Sequence, residues 1–141
     1  MFKIRSYQSE DEKEWLKCHV VVYLGSNERR FLKEKPRCKR QSIELVATDD
    51  DKIIGFLDIE LEDVPGSICY KKVEGNSMLW DIGVWEEYRR KGVATRLLNE
   101  TINRLRKQDV RRLEAWSIED GAKRFYEKFW FKSALNTITF S

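Results

Sequence analysis

Apolar residues recur along the chain with two periods, one typical of strands and one typical of helices. Towards the end of segment 53–62 every second residue is apolar and the residues between are acidic, as in a β-strand with one buried face. In segment 95–107 the apolar residues recur at helical spacing. The apolar strand face holds Leu57, Ile59 and Leu61, the acidic face holds Asp58, Glu60 and Glu62, and the apolar side of the helix holds Leu97, Leu98, Ile102 and Leu105.

The same patterns predict the element order β-α-α-β-β-β-α-β-α-β, which fits an α/β protein with a mixed sheet whose first half is antiparallel. A polar turn after residue 48 makes the second and third strands a hairpin, and Pro36 ends the second helix. The predicted strands are 3–7, 43–48, 53–62, 79–84, 110–116 and 134–140, and the predicted helices are one between residues 9 and 25, then 28–35, 95–107 and 121–129.

Length and composition predict a single domain over residues 1–141, because a chain of 141 residues with 41% apolar content can bury a core without disulfides. The three cysteines, Cys18, Cys38 and Cys69, are far apart and odd in number, so they indicate neither a disulfide framework nor a metal site. No signal peptide and no membrane-spanning stretch is apparent. We therefore expect a cytoplasmic protein that uses no metal and does not bind a membrane.

Charge is distributed unevenly, although the net charge is only +3. Residues 44–63 hold eight acidic side chains and one lysine, whereas basic residues dominate segments 27–40 and 89–112. Most of these charges can be solvated surface residues, as charged side chains usually are. Alternatively, the basic segments bind an anionic cofactor and the acidic segment attracts a cationic substrate.

Segment 81–95 carries the strongest chemical signal in the chain. An apolar strand ends in a basic turn with one glycine, Gly92, and an amphipathic helix begins directly afterwards. Such a turn leaves backbone N–H groups pointing outward at the positive end of the helix dipole, an arrangement that binds phosphate. Neither a Walker lysine pattern nor G-x-G-x-x-G occurs in the sequence, so nucleotide triphosphates and dinucleotides are disfavoured as ligands.

Two motifs resemble those of the GCN5-related N-acetyltransferases. Arg89-x-x-Gly92-x-Ala94 is similar to the R/Q-x-x-G-x-G/A signature of this family, and residues 125–131, FYEKFWF, are similar to its second signature, F/L-Y-E-K-x-G-F. The resemblance implies the acyl-CoA N-acyltransferase fold, with acetyl-CoA as cosubstrate. Its pyrophosphate is expected on the amides of the turn and its pantetheine arm along the preceding strand. The implied cofactor-binding residues are Ile82, Gly83, Val84, Arg89, Arg90, Lys91, Gly92, Val93, Ala94 and Thr95.

The resemblance also implies catalytic groups. Tyr126 stands where the family has a tyrosine that protonates the leaving thiolate, and Asp81 stands where it often has an acidic residue, which could take a proton from the amine. Glu60 and then Asp58 are the alternative bases. His19, the single histidine, lies among apolar residues of a predicted helix, which favours a structural role. No covalent nucleophile is apparent, so the amine is expected to attack the thioester directly.

Three functions remain open at this point. The first is transfer of an acetyl group to a primary amine of a cationic small molecule or peptide, which the acidic segment favours. The second is a catalytically weak module that binds or senses acyl-CoA, which Trp130 favours because the family has glycine there. The third is a nucleic-acid-binding domain, although no recognition motif accompanies the basic runs. Trp85 and Trp130 lie either in the core or at an interface such as that of a homodimer.

Overall fold

The computed structural model describes residues 1–24, 32–115 and 137–140. Within these residues, two 3₁₀ turns, Ser9–Asp11 and Glu86–Tyr88, accompany the helices and strands. The strands are β1 (Lys3–Ser6), β2 (Ser42–Asp49), β3 (Lys52–Leu61), β4 (Ser77–Val84), β5 (Arg112–Ala115) and β6 (Thr137–Thr139), and the α-helices are α1 (Glu12–Tyr23) and α2 (Val93–Arg106).

The six described strands form one mixed sheet in the order β1-β2-β3-β4-β5-β6. The pairs from β1 to β4 are antiparallel, β4 and β5 are parallel, and β5 and β6 are antiparallel. A parallel pair needs a long crossover connection, which α2 supplies between β4 and β5. This topology confirms the predicted fold class, including the antiparallel first half.

Two apolar clusters hold the sheet between the helices. On one face, α2 buries Leu97, Leu98 and Leu105 against apolar residues of β2, β3 and β4, as the helical spacing predicts. On the other face, α1 buries Trp15 and Cys18 against β2 and β3. Each large side chain buried in this way contributes about 1.5–3 kcal/mol. Apolar and acidic residues alternate in β3 because successive side chains of the strand point alternately towards the α2 cluster and towards α1.

The predicted second helix is wrong where the structure describes it. Segment 28–35 lies partly outside the described residues, and its described end, 32–35, is not helical. The residue before a proline disfavours helical angles, and Lys35 precedes Pro36. In addition, the Lys35 N–H donates to Glu12 at 3.3 Å, and the Lys35 ammonium pairs with the carboxylates of Glu44 and Asp58. The predicted helix 121–129 lies outside the described residues.

The strand predicted from residue 110 begins at Arg112. The N–H of Val110 still donates to the Leu105 carbonyl, at 3.0 Å, and Asp109 has a left-handed φ of 58°. Residues 107–111 therefore close the end of α2 before the chain re-enters the sheet.

Candidate active site

The turn between β4 and α2 contains two residues with left-handed backbone. Arg90 has a φ of 63°, and Gly92, which caps α2, has a φ of 82°. Glycine adopts this conformation without steric cost, whereas any other residue is strained there. A Cβ on Gly92 would meet no described atom within 4 Å. The backbone angle therefore favours glycine at this position, and among the described atoms the space directly beside it is open.

The first turn of α2 presents backbone N–H groups without acceptors. The first intrahelical bond runs from the Arg96 N–H to the Gly92 carbonyl at 3.0 Å, and no side chain caps the helix. The amides of Val93, Ala94 and Thr95 consequently find no acceptor in the described part of the chain. The first turn also contains no acidic residue, although the helix dipole favours carboxylates there. This arrangement suits an external anion such as phosphate.

The three basic residues of the turn are placed differently. Arg90 and Lys91 are exposed, and the Lys91 ammonium lies 5.4 Å from the centre of the Tyr88 ring. The Nε of Arg89 instead donates to the Val84 carbonyl at 3.1 Å, so this side chain also secures the end of β4. All three keep positive charge close to the N-terminus of α2, as the sequence predicts.

A bulge in β4 sets the direction in which the Asp81 side chain points. The pairing of β3 with β4 shifts by one residue between Asp58 and Ile59, so that Trp80 is an extra residue in β4. Bulges re-aim the side chains beside them. Here the carboxylate of the following residue, Asp81, faces α1.

The last three residues of β4, Ile82, Gly83 and Val84, pair with β3 and lead into the turn. A Cβ on Gly83 would lie 2.7 Å from Cζ of Phe56 and 2.8 Å from Cγ1 of Val22, closer than carbon atoms pack. Gly83 therefore allows α1 and β3 to approach β4 closely. This packing role comes in addition to the cofactor contact that the resemblance implies for the same residue.

The Asp81 carboxylate is held by two side chains of α1. The Tyr23 hydroxyl donates to Oδ1, and Nε2 of His19 lies 2.9 Å from Oδ2. The His19 side chain is 1% exposed, and its ring stacks on Trp15 and Phe56 with centroids 4.9 and 5.4 Å away. The other ring nitrogen, Nδ1, has no partner among the described residues. His19 is thus buried, as its apolar setting suggests, and it also contacts the predicted base.

Tyr23 is a site residue that the sequence analysis does not single out. It lies four residues after His19 and therefore on the same face of α1. This i, i+4 spacing is its only signal in the sequence, and it says nothing about which strand the two side chains meet.

The alternative bases lie in separate networks. Asp58 pairs with Lys35 at 3.2 Å, and burial raises the pKa of Asp58 to about 7, which the Lys35 ammonium opposes only in part. Both oxygens of Glu60 accept hydrogen bonds, Oε1 from the Trp80 indole at 2.8 Å and Oε2 from the Arg40 amide at 3.0 Å. Glu60 therefore anchors Trp80 and the segment around Arg40.

Tyr126 and the second signature, residues 125–131, lie outside the described residues. In the ranges that are described, no group of three His, Cys, Asp or Glu side chains could hold a metal ion. None of the described helices is both long enough and apolar enough to cross a membrane.

The sequence profile of the Acetyltransferase (GNAT) family matches residues 5–131, which include both motifs. The chain belongs to this family. Membership confirms the predicted class of enzyme, an acetyl-CoA-dependent acetyltransferase. No curated protein matches the sequence significantly.

Solved structures of other GNAT enzymes share the fold of this acetyltransferase. A GNAT acetyltransferase from Brucella melitensis, in complex with acetyl-CoA, is 17% identical with a TM-score of 0.72, over 100% of this chain and 89% of that one. The paia N-acetyltransferase from Thermoplasma acidophilum, in complex with coenzyme A, is 13% identical with a TM-score of 0.64, over 99% of each chain. The ribosomal-protein-S18-alanine N-acetyltransferase from Escherichia coli is 16% identical with a TM-score of 0.63, over 100% of this chain and 95% of that one.

Proposed function

We propose that this GNAT acetyltransferase transfers an acetyl group from acetyl-CoA directly to a primary amine. The arrangement along β4 supports this best. Amides for which the described residues offer no acceptor stand at the start of α2, and the Asp81 carboxylate lies three residues before the end of β4. At about 3.3 Å per residue, this separation is roughly 10 Å along one strand. A cofactor anchored at the turn can therefore extend along β4 towards Asp81.

The turn is the proposed pyrophosphate site. The amides of residues 90–95 would donate to the phosphate oxygens, while Arg90 and Lys91 add positive charge. The complex of the Brucella melitensis enzyme with acetyl-CoA supports the same cosubstrate here. The backbone of Ile82, Gly83 and Val84 would hold the pantetheine arm, and an N–H of this stretch would polarise the thioester carbonyl.

Asp81 is the proposed general base, and Glu60 is the alternative. Both oxygens of each carboxylate have a hydrogen-bond partner, but the partners differ. The donors to Glu60 are the Trp80 indole and both the main-chain amide and the guanidinium of Arg40, none of which releases a proton near neutral pH. The partners of Asp81 are the Tyr23 hydroxyl and the His19 imidazole, which can pass a proton on. Asp81 can therefore gain and lose a proton within its own network.

The reaction is then a direct transfer. The ammonium group of the acceptor gives a proton to Asp81, and the amine nitrogen attacks the thioester carbonyl carbon. The C–N bond forms, and the attacking nitrogen, which now carries a positive charge, gives up a second proton to solvent. The C–S bond breaks, and the coenzyme A thiolate takes a proton whose donor is reprotonated from solvent, so that the protons balance. We propose Tyr126 as the source of that proton, because the second signature places a tyrosine at this position.

The test is calorimetric titration of acetyl-CoA against wild type and Gly92→Glu, which places bulk and negative charge beside the free amides. Gly66→Glu is the matched control, because Gly66 is also exposed with a left-handed φ of 86° but lies in the loop before β4. We expect binding in the micromolar range for wild type and for the control, and none for Gly92→Glu.

Assays with a panel of amines follow from that result. Binding without turnover on any amine would favour the acyl-CoA-sensing module. Absence of binding to the wild-type protein would refute the proposed function altogether.

A further inference from the structure

Three carboxylates form a row across the sheet on the α1 side, Glu44 on β2, Asp58 on β3 and Asp81 on β4, which we call the carboxylate row. Glu44 is the register partner of Asp58, and Asp58 is the register partner of Asp81. Neighbouring strands lie about 4.8 Å apart, and like charges directly opposite each other repel. The row therefore needs positive charge between its members.

One half of the row already contains an alkylammonium group. The Lys35 ammonium pairs with Glu44 and lies 3.2 Å from Oδ1 of Asp58. It also lies 4.7 Å from the centre of the Tyr7 ring and 5.0 Å from that of Trp15. Lys35 is 5% exposed. Carboxylates and aromatic faces together are the groups with which proteins recognise ammonium ligands.

In the other half of the row, the described residues supply no such cation. Among the described residues, Asp81 forms no ion pair with a lysine or arginine, and its partners are the Tyr23 hydroxyl and the His19 ring. The buried His19 Nδ1 beside it has no described partner. The paired carboxylates of Asp58 and Asp81 therefore favour one further positive charge beside Asp81, and the acceptor's ammonium must approach Asp81 if that residue is the base.

We propose that Lys35 determines which amines the enzyme accepts. Its ammonium fills the Glu44–Asp58 half of the row, so that the acceptor brings only one ammonium, next to Asp81, and diamines are rejected. This inference rests on the proposed amine acetylation and narrows the acceptor to amines with a single positive charge near the reacting nitrogen. The acidic segment alone predicts a cationic acceptor and sets no limit on how many positive charges that acceptor carries. With Lys35 in place, one positive charge is expected.

Repulsion between the Lys35 ammonium and the second ammonium of a diamine sets how strongly the enzyme discriminates against diamines. A second ammonium on the acceptor would lie one to two strand spacings from the first, about 5–10 Å away, where Lys35 already sits. Two such charges about 5 Å apart at an effective dielectric constant of about 20 weaken binding by a factor on the order of 100. Solvent screening reduces this factor, so a discrimination of at least tenfold against the diamine is expected.

The test compares each α,ω-diamine with the monoamine of the same chain length, starting with diaminobutane and butylamine. Lys35→Met keeps the apolar stem of the side chain and removes the ammonium group. In this variant the diamine's kcat/KM relative to the monoamine's should rise at least tenfold over wild type. Lys35→Arg should keep the wild-type ratio. Lys33→Met, in the same segment but exposed, should also leave the ratio unchanged. An unchanged ratio in Lys35→Met would overturn the proposal.

A second variant covers the case in which Lys35→Met fails to fold with two uncompensated carboxylates. The double variant Lys35→Met/Glu44→Gln removes one carboxylate together with the cation and keeps Asp58, and the same rise in the ratio is expected.

A binding measurement separates this inference from the proposed reaction. If wild type transfers acetyl to no amine, the reaction is refuted, but diaminobutane should still raise the melting temperature of Lys35→Met by about 5 °C more than butylamine does at saturating concentration, and the two amines should differ less in wild type. If diaminobutane and butylamine raised the melting temperature of Lys35→Met equally, the proposed role of Lys35 would be overturned, whether or not transfer occurs.

Discussion

Replacement of Gly83 by alanine adds one methyl group where α1, β3 and β4 meet. The new Cβ would lie 2.7 Å from Cζ of Phe56 and 2.8 Å from Cγ1 of Val22, so both side chains must move by several tenths of an ångström. The shift would push α1 away from β4. It would therefore also lengthen the contact between His19 and Asp81, which is 2.9 Å in the present structure.

Two opposing effects set the magnitude of this change. Overpacking of a closed core costs about 1–3 kcal/mol. Alanine in place of glycine restricts the unfolded chain, which stabilises the protein by about 0.4–1 kcal/mol where the backbone angle is ordinary. Gly83 does not have a positive φ, so this gain applies. Crowding is the larger effect. We therefore expect Gly83→Ala to lower the free energy of unfolding by about 0.5–2 kcal/mol, which for a chain of this size lowers the melting temperature by about 2–8 °C.

Urea unfolding measured as a double-mutant cycle identifies the cause. Phe56→Leu removes the atoms nearest to the added methyl, so it should relieve Gly83→Ala with a coupling of about 0.5–1.5 kcal/mol. Gly92→Ala is the matched control, because its loss of about 1–2 kcal/mol arises from the left-handed backbone angle and should simply add to that of Phe56→Leu. A Gly83→Ala protein as stable as wild type, or a zero coupling with Phe56→Leu, would refute the close-packing explanation.

Two further changes test the carboxylates. Asp81→Asn should lower kcat/KM for the amine by about 10²–10⁴-fold with the affinity for acetyl-CoA unchanged, whereas Glu60→Gln should cost less than about tenfold; the opposite ranking in steady-state assays would move the base to Glu60. The pKa of Asp58 is raised to about 7 in the folded protein and is about 4 in the unfolded chain, so the folded state holds this proton more tightly and stability should fall as pH rises from about 4 to about 7. Urea unfolding across this range should show that decline in wild type and a weaker one in Asp58→Asn, and equal slopes would contradict the assignment.

The elements that the sequence predicts correctly are those whose pattern is local. The alternation in β3 and the apolar stripe of α2 each lie within one segment, and both fix which face meets the core. The helix predicted at 28–35 was wrong in its described part because a long-range contact overrides the local pattern. Lys35 leaves helical geometry and inserts its ammonium between carboxylates of β2 and β3.

The same distinction explains which parts of the site the sequence reveals. The phosphate-binding turn is contiguous in sequence, so a short motif describes it. The partners of Asp81 are not contiguous, because His19 and Tyr23 lie 62 and 58 residues away and meet it only after α1 packs on the sheet. The bulge at Trp80, which turns Asp81 towards α1, likewise depends on the register between two strands.

The number of charged residues in a segment of the sequence does not show which of these charges are available to a ligand. The acidic segment 44–63 and the basic segment 27–40 look like two separate surfaces, one for a cationic substrate and one for an anion or nucleic acid. In the folded chain the two segments meet, because Lys35 pairs with Glu44 and Asp58 and Arg40 pairs with Glu60 and Asp63. Neither segment is then available in full to an external partner. The proposed specificity therefore depends on Lys35 and on Asp81, which has no lysine or arginine partner in the described chain, and not on the number of acidic residues.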